Sequence, residues 1–469
     1  MSYRLFVCVC AMIFLLGGCS GTSKPAKSQV NAAGPPNFVI IFADDLGYGD
    51  LGCYGSPNIR TPRLDAMASE GMRFTSFYAQ TVCGPSRSAL LTGSYPIRVA
   101  RRNNNITPIH PEVHTEEITI AEVLRKRGYA TACVGKWDQA GHRQKGFIKE
   151  LMPNDQGFDF FFGTPSSNDS YVDLYRNEEL VEEKADMGLL TQRYTDESIA
   201  FIRKNKDKPF FVYLAHTMPH TRLAVSDAFK GKSRRGAYGD VVEEIDHTVG
   251  RIIDTVNELG LEDNTYVFFI SDNGPWYKQR FHGGSSGPLR SDKTSTWEGG
   301  MRVPAIAWAP GNIKAGQTEM RIGTTMDILP TLCTLSGAEL PKDRVIDGID
   351  LSGRLLGTAE GPADTERVFY YYQHRQLQAV RSGPWKLILP RTKEPAPGQP
   401  KWAPQIAPSE TIEIKTPLLY NLEEDVAERF DVAKRHPEIV EHLTALGEAG
   451  KKELGHLDQI GEGARVFED

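Results

Sequence analysis

The sequence predicts an α/β fold with a large, mostly parallel central sheet carrying helices on both faces, followed by a small antiparallel sheet with one packed helix. Continuous apolar runs at Phe38 to Ala43, Tyr129 to Val134, Phe210 to Ala215 and Tyr266 to Ile270 read as strands buried on both faces. Helical patterns lie between them, and strand alternating with helix is the mark of a parallel sheet. After about residue 360 the texture changes to short strands broken by turn residues.

The first nineteen residues stand apart from that fold. Arg4 precedes an apolar run, Leu5 to Leu16, too short to span a bilayer and suited to the core of a secretory signal. Leu16-Gly17-Gly18-Cys19-Ser20 follows and resembles a bacterial lipobox, in which acylated Cys19 becomes the new N-terminus. The alternative is an ordinary signal peptide with an incidental cysteine. Residues 20–36 are small, polar and Pro-containing, as a flexible tether would be. The expectation is an exported protein of the bacterial cell envelope, lipid-anchored at the outer membrane.

A catalytic domain is expected over 37–360. Ile120 to Arg127, closed by Gly128, reads as a helix. A second helix is expected to begin near Thr195, with Asp196 and Glu197 in its first turn. In a third, Val242, Ile245, Val249, Ile252, Ile253, Val256 and Leu259 follow i, i+3, i+4 spacing, and Gly260 ends the pattern. A subdomain over 361–469 would hold strands at Val368 to Tyr372, Leu377 to Arg381, Trp385 to Leu389 and Leu418 to Leu422. A Pro-rich surface loop over 391–417 and a helix from Pro437 to Leu446 complete it.

Composition narrows the function. With 469 residues, 40% of them hydrophobic, the chain can bury a large core without a disulfide scaffold. A net charge of -6 without a long basic run argues against nucleic acid as a partner. Cys53, Cys83, Cys133 and Cys333 fall in the folded part; they allow at most two bridges, and no CxxC pair suggests a metal cluster.

Ligands of open α/β sheets bind beyond the carboxyl ends of the strands. Four predicted strands lead there into Asp44-Asp45, Gly135-Lys136, the His216/His220 loop and Asp272-Asn273. Acidic pairs in turns are commonly just solvated. Two that meet at one sheet edge suit a hard divalent cation, Ca²⁺ more readily than Zn²⁺. In Thr81 to Gly93, Pro85 suits the first turn of a helix, which would put Cys83 just before the N-terminus, where free amides favour an anion. An unmodified cysteine there is a candidate low-pKa nucleophile; the alternative is a buried structural cysteine.

Cys83-Gly84-Pro85-Ser86-Arg87 with Thr92-Gly93 resembles the signature of the formylglycine-dependent sulfatases. The resemblance continues through Gly47 to Gly52, Gly135-Lys136-Trp137, Pro219-His220, Ser271 to Gly274, Lys293, Glu298-Gly299-Gly300 and Arg302-Val303-Pro304, and covers nearly everything from residue 37 to about 445. It implies an alkaline phosphatase-like fold and sulfate-ester hydrolysis by a hydrated formylglycine made from Cys83 by a formylglycine-generating enzyme. One Ca²⁺ would be held by Asp44, Asp45, Asp272, Asn273 and the modified Cys83. Arg87 and Lys136 would stabilise the hydrated aldehyde, while His220 and Lys293 would bind the ester and ease departure of the alcohol, His220 as proton donor. Anchored export implies a sulfated carbohydrate as substrate, with subsite residues expected from loops around Arg280, His282, Arg290 and His374.

One position departs from the family pattern. Where a histidine usually follows the lysine by two residues, this chain has Asp138. Its contact is altered, or supplied by another residue such as His142; Asp138 itself binds the sugar or is solvated. His216 reads as a core or supporting residue. The rivals are a related phosphomonoester or phosphodiester hydrolase, disfavoured by Asn273, and an inactive lipid-anchored glycan-binding protein, suggested only by Asp138.

Overall fold

In the computed structural model the described residues are 34–99, 101–102, 105–106, 113–141, 147–358, 367–391 and 413–465. The leader, Cys19, the tether up to residue 33, His142 and residues 392–412 of the Pro-rich loop lie outside them. The strands, in chain order, begin with β1 (Asn37–Ala43), β2 (Met72–Tyr78), β3 (Arg101–Arg102), β4 (Asn105–Ile106), β5 (Ala130–Lys136), β6 (Phe160–Thr164), β7 (Val172–Arg176) and β8 (Glu179–Ala185). They continue with β9 (Phe210–Ala215), β10 (Thr265–Ser271), β11 (Arg302–Trp308), β12 (Gln317–Glu319), β13 (Gly323–Thr324), β14 (Val368–Gln373), β15 (Gln376–Ser382), β16 (Trp385–Ile388) and β17 (Leu418–Asn421). The α-helices are α1 (Pro62–Glu70), α2 (Cys83–Thr92), α3 (Pro96–Val99), α4 (Ile120–Lys126), α5 (Leu190–Asn205), α6 (Ala237–Glu258), α7 (Glu298–Met301), α8 (Ile328–Ser336), α9 (Ser352–Leu356) and α10 (Pro437–Leu454).

The large sheet runs β12-β2-β11-β10-β1-β9-β5-β6-β7-β8, with β13 also pairing to β2. Its five central strands, β10, β1, β9, β5 and β6, are parallel. Antiparallel arms, β11 with β2 and β7 with β8, extend it at both ends. Alternation along β1 feeds two cores. Phe38, Ile40 and Phe42 join Ile120, Leu124, Ile328 and Leu332 of α4 and α8, whereas Val39, Ile41 and Ala43 join Leu64, Tyr194, Ile245 and Ile252 of α1, α5 and α6. Burial on both faces is why these strands lack a polar side and read as unbroken apolar runs.

Parallel register brings five strand ends to one edge, with Ala43 opposite Ser271, Phe42 and Gly135 both opposite Ala215, and Lys136 opposite Thr164. Close approach there depends on Gly135, whose φ is 111 and whose added Cβ would lie 1.9 Å from the Ala215 carbonyl oxygen.

Several boundaries differ from expectation. Helix α5 begins at Leu190, not near Thr195; Asp196 and Glu197 are surface positions within it, paired with Arg251 and Arg176. Helix α6 starts at Ala237 and α10 extends to Leu454. The two antiparallel strands β2 and β11 had no counterpart among the expected strands.

The second sheet, β14-β15-β16-β17, is antiparallel as expected, and α10 covers it, with Gly447 against Val380 and Leu389. It is joined to the large sheet by a buried ionic cluster: Lys386 on β16 lies 3.0 Å from Glu298 at the start of α7 and 2.8 Å from Glu428. Cys53, Cys83, Cys133 and Cys333 are all free. No helix among the described residues is long and apolar enough to cross a membrane.

Candidate active site

At the carboxyl edge of the central strands, nine of the residues singled out from sequence converge: Asp44, Asp45, Cys83, Arg87, Lys136, His220, Asp272, Asn273 and Lys293. Asp44 and Asp45 leave β1, and Asp45 adopts a left-handed φ of 64 that turns its carboxylate toward β10. Its backbone N–H donates to Asp272 Oδ1 at 3.0 Å, and its Oδ1 accepts from Asn273 Nδ2 at 2.8 Å and from Lys293 Nζ at 2.6 Å. Asp44 Oδ2 accepts from Lys136 Nζ at 2.6 Å. Arg87, wholly buried on α2, reaches Asp272 Oδ2 at 2.9 Å and Asp44 Oδ2 at 3.5 Å, and donates to the Lys136 carbonyl at 2.9 Å. Three carboxylates are thus interlaced with three cationic side chains inside the protein.

Their charges set one another. Burial opposes ionisation of Asp44, yet Lys136, His220, Arg87 and Lys293 together hold its carboxyl well below the usual range. Burial pushes Asp272 up to about 8, with Asp44 and Asp45 adding and Arg87 opposing. Crowded carboxylates of this kind are relieved by a cation between them.

The donor set fits a hard dication. Asp44 Oδ1, Asp45 Oδ2 and Asn273 Oδ1 are buried and have no hydrogen-bond partner. Such atoms are costly unless something satisfies them. Asp44, Asp272 and the Cys83 sulfur offer ligand atoms within 4.8 Å of one another. An oxygen-rich set of this kind suits Ca²⁺.

Cys83 is the first residue of α2, not the residue before it, and is nearly buried. Burial pushes its thiol up to about 12, outweighing Lys136 and Lys293, while Asp44 and Asp138 add to the rise. That direction runs against the low-pKa alternative, because helix-terminal amides and two lysines do not offset desolvation beside carboxylates.

His220 lies against the cluster, with Asp44, Asp45 and its ring offering ligand atoms within 4.8 Å of one another. Its Nε2 is 3.8 Å from Asp45 Oδ2 and 3.8 Å from Asp169 Oδ1, and its Nδ1 is buried without a partner. Burial lowers its pKa, with Asp45 opposing. His216 sits at the end of β9 with no exposure; burial pushes it down to about 3, in keeping with a core residue.

Asp138 has a left-handed φ of 57, is buried, and stands 3.7 Å from Lys136 Nζ, so the solvated alternative fails. His282 is exposed at the end of a 3₁₀ turn, Tyr277–His282. His374 sits in the β14–β15 hairpin turn, paired through Nδ1 with Gln373. Sequence reasoning missed Asp169 and Trp276. A Ser-Asn-Asp run after the short strand β6 was the available signal for the first; nothing in the local pattern marked the second.

Residues 36–338 match the family described as Sulfatase, and residues 364–466 match the C-terminal region of aryl-sulfatase. N-acetylgalactosamine-6-sulfatase of Sus scrofa is 39% identical over 460 residues, covering 90% of this chain and 86% of that protein. Arylsulfatase A of Homo sapiens is 37% identical over 451 residues, covering 88% and 87%. A solved structure associated with metabolism of multiple glycosaminoglycans by Bacteroides thetaiotaomicron superposes with a TM-score of 0.77 at 29% identity, covering 89% of this chain and 100% of that one.

Proposed function

The chain belongs to the sulfatase family and is a sulfuric ester hydrolase, and from that premise we propose that it desulfates a carbohydrate, a polysaccharide or glycosaminoglycan, using Ca²⁺ and a formylglycine made from Cys83. The observation that carries the cation is the trio of buried, unpartnered oxygens on Asp44, Asp45 and Asn273. What supports the modification is the match of Cys83-Gly84-Pro85-Ser86-Arg87 to the family signature, within the stretch that matches the sulfatase family. The carbohydrate class rests on a relative that acts on N-acetylgalactosamine 6-sulfate by its name and on a structural neighbour from glycosaminoglycan metabolism.

When loaded, the site gains from the cation a sink for charge on the sulfate oxygens, and from the aldehyde hydrate an oxygen nucleophile for sulfur. The protein's own groups do the rest. Asp44, Asp45, Asp272 and Asn273 would hold the cation, and Arg87 braces Asp272 and Asp44. Lys136, fixed on Asp44, stabilises oxygen at position 83. Lys293 and His220, gathered on Asp45, face the ester; Lys293 neutralises the sulfate, and His220 gives its Nε2 proton to the departing alcohol.

Peptide mass spectrometry of protein from a host supplying the formylglycine-generating enzyme is expected to show the aldehyde at position 83. Cys83→Ala is expected to abolish hydrolysis of 4-nitrophenyl sulfate with little change in thermal unfolding. Full turnover by a homogeneous preparation retaining the thiol would overturn this reading. The lipobox ending in Cys19 supports an exported enzyme held to the bacterial outer membrane by lipid; a mature protein lacking acyl mass at Cys19 would remove that part.

A further inference from the structure

Two side chains border the site without a role in the chemistry above. Trp276, two residues after the Asn273-Gly274 turn, places its ring centroid 5.8 Å from that of His220, and Lys293 Nζ lies 5.0 Å from its centroid. The indole is part-exposed, so it walls the site on the side where His220 and Lys293 meet the ester. Asp169 comes from the loop after β6 and also approaches His220. Its Oδ2 accepts from the Ser167 hydroxyl at 2.8 Å, which fixes the carboxylate, while its Oδ1 stands 3.8 Å from His220 Nε2.

The imidazole Nε2 is thus flanked by two carboxylates at the same distance. The inner one, Asp45, is also bound to Lys293 and is almost wholly buried. The outer one is 58% exposed, and its contact to the imidazole is too long for a hydrogen bond. A fixed, accessible acceptor beside the group that serves the leaving oxygen is placed to read what the leaving alcohol carries next to that oxygen.

We propose that Trp276 and Asp169 form the sugar subsite, with the indole taking the apolar C–H face of a pyranose ring. Asp169 accepts a hydrogen bond from a hydroxyl or amide N–H on the carbon beside the sulfated one. The same carboxylate repels a second sulfate or a carboxylate at that carbon, so the preferred residue carries a free donor there. This inference rests on the sulfatase reading of the neighbouring residues.

The test compares three methyl hexopyranoside sulfates and 4-nitrophenyl sulfate. One sugar has a free hydroxyl beside the sulfate, one is deoxygenated there and one is sulfated there. The mature enzyme is expected to favour the free hydroxyl over both others in kcat/KM by about tenfold to a hundredfold, the range for a hydrogen bond to a charged group. Asp169→Ala is expected to level the three sugars while leaving 4-nitrophenyl sulfate within about threefold. Trp276→Ala is expected to raise KM for the first sugar about tenfold, as loss of a ring-stacking surface would. Equal loss on the sugars and on 4-nitrophenyl sulfate would make Asp169 a support for His220 and overturn the subsite, as would indifference of the wild type to the neighbouring group. Calorimetry on Cys83→Ala reads binding without turnover. Weaker binding of the first sugar on adding Asp169→Ala upholds the subsite, and unchanged binding overturns it. Failure of the mature wild type to turn over any of the four compounds strikes instead at the assigned chemistry.

Discussion

Asp44 and Lys136 form a wholly buried ion pair with Nζ 2.6 Å from Oδ2, while the other Asp44 oxygen has no partner. One carboxylate therefore both anchors the lysine and offers an oxygen to a cation. Rigorous chelation is expected to abolish 4-nitrophenyl sulfate hydrolysis and lower the thermal midpoint, both restored by Ca²⁺, because an ion bound only by the folded chain stabilises it. Asp44→Ala is expected to lose activity even with Ca²⁺ in excess, and to cost about 3–5 kcal/mol by leaving buried cations uncompensated. Unchanged turnover after chelation would remove the cation from the mechanism.

Lys386 has no exposure and is shared by Glu298 and Glu428, which are equally buried. Glu298 also accepts from the Tyr371 hydroxyl at 2.9 Å, and its backbone N–H donates to Glu428 at 2.8 Å. Lys386→Met would leave Glu428 without its cation and Glu298 with only the 3.4 Å contact of Arg302. The expected loss in chemical denaturation is about 3–5 kcal/mol, and a loss below 1 kcal/mol would show that the cluster does not tie the small sheet to the large one.

What the sequence could show follows periodicity and local chemistry. The helix at Ile120 was legible because Gly128 closes its pattern, and the structure adds a capping box of Thr119 and Glu122; the four strand ends were legible because each apolar run stops at polar or glycine residues. Helix α5 was misplaced because Asp196 and Glu197 mimic a first turn, although their partners, Arg251 and Arg176, lie on other elements. The acids of the candidate site were readable as strand-end residues. Asp169 and Trp276 were not, since their importance comes only from where His220 lies in space.

Asp246 on α6 illustrates a cap that no local pattern reveals. It accepts from the first-turn amides of α1, Leu64 N at 2.8 Å and Arg63 N at 3.2 Å, 182 and 183 residues away. Burial pushes its carboxyl up to about 7, with Asp65 adding and the amides opposing. The folded chain then keeps a proton that the unfolded chain releases near the ordinary Asp value, so this group favours folding at low pH and its contribution is lost as pH rises toward about 7. Asp246→Asn is expected to flatten that part of the stability profile, measured by denaturant midpoints from pH 4 to 8. An unaltered slope would show that the carboxyl ionises at its ordinary value.

Asp138 borders the site with one carboxylate oxygen unsatisfied. Its Oδ2 is buried without a hydrogen-bond partner, and Lys136 Nζ is 3.7 Å away because it makes its short contact with Asp44 instead. A buried acceptor in that state costs roughly 1–3 kcal/mol. Asp138→Asn replaces the carboxylate by a neutral amide of similar shape and is expected to stabilise the fold by up to about that amount. The same change removes a negative charge beside Cys83 and takes from Lys136 the second acid, 3.7 Å from Nζ, that helps to set its position between Asp44 and residue 83. Turnover of 4-nitrophenyl sulfate is therefore expected to fall at least tenfold, about 1.4 kcal/mol of transition-state stabilisation, as stability rises. Stability and activity moving in opposite directions is what marks a residue held for chemistry at the expense of folding. If both fall together, Asp138 is instead a structural partner of Lys136; if activity is unchanged, the carboxylate takes no part in positioning the lysine.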